Sequence, residues 1–100
     1  MDLEKAAVQL EALGNNTRLT IYRDLVQAGQ QGSSVGQIKE RLGVPASTLS
    51  HHIAKLVHSG LITQERISRS LVCTADFDNM DSLIMFMANN FCSDDSSIWG

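Results

Sequence analysis

Glycines at positions 14, 29, 43 and 60 divide the first sixty residues into segments that each repeat aliphatic side chains at helical spacing. Glycine readily closes a helix, so these segments read as short helices that gain stability only by packing on one another. Leu3, Ala6, Ala7, Leu10 and Leu13 place a first helix over 3–13. Asn15, a good N-cap, opens a second helix with Leu19, Tyr22, Leu25 and Val26 on one face. In "SVGQIKERLG" the Ser34 and Gln37 pair has capping-box spacing, and Val35, Ile38 and Leu42 face inward. After Val44 and Pro45 a fourth helix covers Ala46 to Ser59.

Beyond Gly60 the pattern changes. "LITQERISRSLVCTA" is rich in β-branched and aliphatic residues with a polar break at Ile67-Ser68-Arg69-Ser70, which predicts a two-stranded hairpin. A last helix is expected from Asp76 to about Cys92, and its segment "LIMFMA" is apolar almost all round. Such a helix needs cover on more than one side, and the expected cover is a second copy of the chain, with the first helix taking part. The polar tail 93–100 reads as disordered. The expected organisation is one domain over 1–92 followed by that tail.

The net charge of −3 argues at first against a nucleic-acid partner. Its distribution argues the other way. Residues 33–74 hold Lys39, Arg41, Lys55, Arg66 and Arg69 against Glu40 and Glu65, a balance of +3, while the remainder of the chain carries −6. A basic middle between acidic ends suits a small DNA-binding face. No apolar run approaches the roughly 18 residues of a membrane span, and the acidic, amphipathic start is no signal peptide. Two cysteines without an export signal predict reduced thiols and a cytoplasmic protein.

The stretch "STLSHHIAKL" then sharpens the partner. On a helical wheel Leu49, Ile53, Leu56 and Val57 share an inward stripe, while Ser47, His51 and Lys55 lie opposite with Thr48 beside them. Hydroxyls and an imidazole can bond base edges, and a lysine can reach a phosphate. A plain solvated face is the alternative. Metal binding does not suit the spacing, because His51 and His52 are adjacent and His58 is six and seven residues away. No acid orients a histidine beside a nucleophile, so no enzyme is expected. His52, on the flank of the wheel, reads as structural.

Two helices joined by "GVPAS", the second polar outside, and a following hairpin with two arginines make a winged helix-turn-helix: mainly α, about five helices and a two-stranded wing. "LGNNTRLTIYRDL" with "VGQIKERLGVPASTLSHHIAKLVHSGLI" resembles the ArsR/SmtB family of bacterial repressors over roughly residues 5–92. The resemblance implies a homodimer joined through the first and last helices, repression at an inverted-repeat double-stranded operator, and release by an effector. It places DNA contacts on Ser47, Thr48, Ser50, His51 and Lys55, with Arg66 and Arg69 in the wing. Departures are Asn16 where proline is common, Pro45-Ala46 where Ser-Gln often open the recognition helix, and Ser68 where the wing usually has glycine.

No cofactor is expected. The thiolates and histidines of the family's cysteine-pair and zinc sites are missing, which leaves Cys73 and Cys92. Their contexts, "RSLVCTA" and "NNFC", resemble the subset responding to trivalent arsenic species. Arsenic(III) prefers thiolate sulfur, and a methylarsenical with two exchangeable positions suits two cysteines. The alternatives are a thiol-redox switch, or two packed thiols in a repressor with another effector or none. In a different functional class, the domain would be a winged-helix protein-interaction module.

Overall fold

The computed structural model describes residues 1–91; Cys92 and the tail 93–100 lie outside the described residues. Five helices and three strands follow in the order α1 (Leu3–Leu13), α2 (Asn16–Ala28), β1 (Ser33–Ser34), α3 (Val35–Leu42), α4 (Ala46–Ser59), β2 (Ile62–Ile67), β3 (Ser70–Ala75) and α5 (Phe77–Phe91). A single 3₁₀ turn, Gly29–Gln31, links α2 to β1.

Local chemistry explains most boundaries. Asp2 accepts from the Lys5 amide, Asn15 from Arg18 and Asp76 from Asn79, so each satisfies a first-turn donor. At α3 the capping box closes in both directions, with Gln37 N–H donating to Ser34 Oγ and Ser34 N–H to Gln37 Oε1. Gly60 takes a left-handed φ of 85° to end α4, and its N–H turns back to the last carbonyls of that helix.

The core lies where α2, α3 and α4 meet the inner face of the sheet. Ile21, Leu25, Ile38, Leu49 and Leu56 are fully buried there, with Ile53 nearly so. The face of α1 differs from the stripe its leucines suggest: Ala6, Gln9 and Ala12 are buried, while Leu3, Val8 and Leu10 are exposed. Small side chains let α1 lie close to α4, which leaves the bulky aliphatics outside. Leu19 of α2 is likewise exposed, and Ile21 takes the inward place. On α4, Val57 is exposed and does not join the inward stripe that its spacing suggests.

The sheet order is β1-β3-β2, antiparallel throughout, with Ile62 opposite Ala75 and Ile67 opposite Ser70. The hairpin turn is the pair Ser68-Arg69. Ser68 adopts φ 59°, the left-handed region that a two-residue hairpin loop demands at its first position. The third strand goes beyond the two-stranded wing read from the sequence: Ser33 pairs with Cys73 and Ser34 with Val72. Gly32 makes that approach feasible, since a Cβ there would stand 2.3 Å from the Cys73 carbonyl oxygen. On α5, Leu83 is buried while Ile84 and Met85 face outward, 52% and 56% exposed.

Truncating the α4 stripe tests this core. Leu56→Ala should lower the unfolding free energy by about 2–5 kcal/mol, through lost burial and the cavity left behind, in chemical denaturation.

Candidate nucleic-acid interface

Burial of Leu49, Ile53 and Leu56 forces the opposite side of α4 into solvent. Ser47, Thr48, Ser50 and His51 are all exposed there, in the N-terminal half of the helix. This end also lacks a side-chain cap. Pro45 occupies the N-cap position, and the first intrahelical bond is Leu49 N–H to the Pro45 carbonyl. The amides of Ala46, Ser47 and Thr48 thus point outward at the positive end of the helix dipole, a setting that favours an anion.

One flank of α4 is tied to α1 and α2 by a polar seam with one tie per turn. Arg18, 9% exposed, donates from Nε to the Ala12 carbonyl at 2.7 Å, and its Nη1 lies 3.3 Å from His52 Nδ1. Guanidinium has donors only, so Nδ1 must accept and the ring proton sits on Nε2. Burial, then the positive Arg18, then His51 and Lys55 hold the His52 pKa below its ordinary value, which keeps the ring neutral. One turn on, Lys55 Nζ donates to Glu11 Oε1 at 2.7 Å. At the end of the helix, buried Gln9 donates to the Ser59 carbonyl at 3.1 Å, while Asn79 of α5 donates to the Gly60 carbonyl at 2.8 Å.

The wing supplies the other cations. Arg66 stands opposite Leu71 in the hairpin register, on the sheet face that also carries Gln64 and Cys73, and Arg69 sits in the turn. With Ser34, Val35 and Gly36 at the start of α3 they line a hollow of about 310 Å³, wide enough for a phosphate. Arg41 is not part of this set, because Asp24 binds it at Nε (3.1 Å) and Nη2 (2.8 Å), and Ser33 Oγ accepts from Nη2. Lys39, Arg66 and Arg69 have no acidic partner among the described residues.

The site residues read from the sequence therefore fall into two groups. Ser47, Thr48, Ser50, His51, Arg66 and Arg69 are open to solvent. Lys55 leans to the flank, where it donates to Glu11 and pulls that carboxyl below its usual pKa. Cys73 is fully buried on β3. Burial raises its thiol pKa, opposed by a hydrogen bond from Gln64 Nε2 at 3.7 Å. Its supposed partner Cys92 lies outside the described residues. Among the described residues no three His, Cys, Asp or Glu side chains group to hold a metal, and no helix is long and apolar enough to cross a membrane.

Sequence reasoning missed Arg18, Gln9, Glu11 and Asn79. The available signal was Gln9, which falls at helical spacing between the small inward Ala6 and Ala12, where a polar side chain must find a partner.

Known proteins share this arrangement. Residues 13–65, from the end of α1 into β2, match the helix-turn-helix domain family. The chain is 29% identical over 89 residues to the HTH-type transcriptional regulator YgaV of Escherichia coli K12, covering 89% of this chain and 88% of that protein. It is 30% identical over 88 residues to the transcriptional activator HlyU of Vibrio cholerae, covering 88% and 79%. An ArsR-like transcriptional regulator from Rhodococcus sp. RHA1 shares the fold with a TM-score of 0.78 at 21% identity, over 87% of this chain and 79% of that one. This chain, a winged helix-turn-helix matched in sequence along nearly its whole length, belongs to the ArsR/SmtB family of transcriptional regulators.

Proposed function

We propose that this regulator is a repressor that binds an inverted-repeat operator as a homodimer, with α4 in the major groove and the wing along the flanking phosphates. The observation that carries the reading is the uncapped, solvent-facing N-terminal half of α4, with Arg66 and Arg69 beside it. Ser47, Thr48, Ser50 and His51 supply donors and acceptors for base edges and nearby phosphates. Lys55 reaches a phosphate only by exchanging Glu11 for it. The exposed Leu3, Val8 and Leu10 on α1, with Ile84 and Met85 on α5, support a dimer joined through these two helices. HlyU is a transcriptional activator; repression here rests on the likeness of the recognition motif.

The effector reading from sequence puts a trivalent methylarsenical on Cys73 and Cys92. The buried, proton-retaining state of Cys73 favours a second reading, in which that thiol packs the β1–β3 junction and release follows another signal. Induction separates the two. Loss of arsenical-driven release in Cys73→Ser and in Cys92→Ser supports the metalloid site, and unchanged release in either variant rejects it. In a Cys92→Ser background, Cys73 should react with a thiol-specific reagent far more slowly in the folded protein than after unfolding.

The contacts are separable by salt. Arg69→Ala should weaken binding to selected and random duplexes alike and reduce the slope of log K against log salt by about 1, one phosphate contact. His51→Ala should leave the slope unchanged and cost about 1–3 kcal/mol of discrimination between base pairs. Equal loss from His51→Ala on selected and random DNA would remove it from base reading.

A further inference from the structure

Apolar packing sets which face of α4 turns inward, but it is non-directional, so the finer rotation within that choice is left to directional contacts. Hydrogen bonds do have direction. The seam places its three ties at His52, Lys55 and Ser59, along a single flank. Of these, the His52 tie lies nearest the DNA-facing half. We infer that Arg18, acting through His52, is a positioning residue for DNA recognition: it fixes the rotation of α4 and the ring plane of the base-facing His51. The inference rests on the DNA-binding reading of α4.

Arg18 is suited to this role because its charge is buried. Its Nε is committed to the Ala12 carbonyl, at the negative end of α1. Nη1 is thereby aimed at α4, where His52 Nδ1 is the acceptor it meets. No carboxylate pairs with Arg18 among the described residues, so the imidazole lone pair is a substantial part of what satisfies the group. The His52 ring in turn stands edge-on to that of His51, with centroids 6.3 Å apart and planes at 62°. A chain of oriented groups thus runs from the α1 carbonyl through Arg18 and His52 to the side chain set against the bases.

The tie requires neutral His52. The charged groups around it are Arg18 from α2, His51 and Lys55 from its own helix, and Glu11 of α1, which is occupied by Lys55. Protonation would remove the Nδ1 acceptor and add a cation among cations. The native state disfavours the proton, so the tie is complete above the unfolded histidine pKa of about 6.5 and is lost as pH falls through the lower folded value.

The test compares His52→Ala with His52→Asn, whose amide oxygen can accept where Nδ1 did. Affinity is measured for a duplex that the wild type selects from a random pool and for a random duplex, at pH 7.5 and 5.5, alongside thermal unfolding. The imidazole nitrogen spectrum of free ¹⁵N-labelled protein is recorded in parallel. The expected result is about a tenfold loss of selected-duplex affinity for His52→Ala at pH 7.5, little change on random DNA, and recovery in His52→Asn. His52→Asn should also lose less affinity on acidification than the wild type, a comparison in which every other titratable group is common to both proteins. Equal losses on both duplexes, failure of asparagine to rescue, or identical pH profiles would overturn the inference. Should the wild type select no duplex, the DNA-binding reading fails on its own. The spectrum still judges the tie: a neutral Nε2–H tautomer perturbed by Arg18→Lys upholds it, and a proton on Nδ1 at pH 7.5 sinks it.

Discussion

A guanidinium that is nine-tenths buried must find acceptors inside the protein, and the placement of three helices follows from where Arg18 finds them. Its bond to the Ala12 carbonyl fixes the turn between α1 and α2. Its approach to His52 fixes α4 against both. Gln9 and Asn79 then hold the last carbonyls of α4 from α1 and α5, the two helices whose outer faces carry exposed aliphatics. The recognition helix is therefore anchored at its C-terminal end to the elements proposed to join two subunits, while its N-terminal half turns Ser47, Thr48, Ser50 and His51 to solvent.

Electrostatics reinforces this division. The chain is acidic overall, yet its acids are not spread at random around the proposed interface. Asp24 binds Arg41 and Glu11 binds Lys55, so two of the five central cations serve internal contacts. The cations that remain at the wing are Arg66 and Arg69, and they stand beside the first turn of α3. These two charges have no acidic partner among the described residues, so they form a local positive pair although the net charge is negative. Their local field governs encounter with DNA at salt concentrations where distant charges are screened.

Much of this was legible in the sequence, because much of it is local. The bounds of α3 and α4 follow from Ser34, Gln37, Gly43 and Gly60, whose effects reach only a turn or two along the chain. The exposed face of α4 follows from Leu49, Ile53 and Leu56. What could not be read depends on partners far apart in the chain. Strand β1 is two serines whose pairing partner is Cys73; nothing in their own neighbourhood marks them as strand. The inward face of α1 was hidden because a wheel weights leucine above alanine, whereas close approach to α4 selects Ala6 and Ala12. Arg18 looks like an ordinary helical arginine until His52, thirty-four positions on, arrives beside it.

Of the five described helices, α4 is the one whose first turn receives no side-chain cap, because position 45 is proline. In the proposed complex a phosphate oxygen completes the amides of Ala46, Ser47 and Thr48. A serine or aspartate at position 45 would complete them within the free protein instead. Conformational stability and grip on DNA thus compete for the same few N–H groups. A sequence optimised at this position for robustness in isolation would therefore be a poorer reader of DNA.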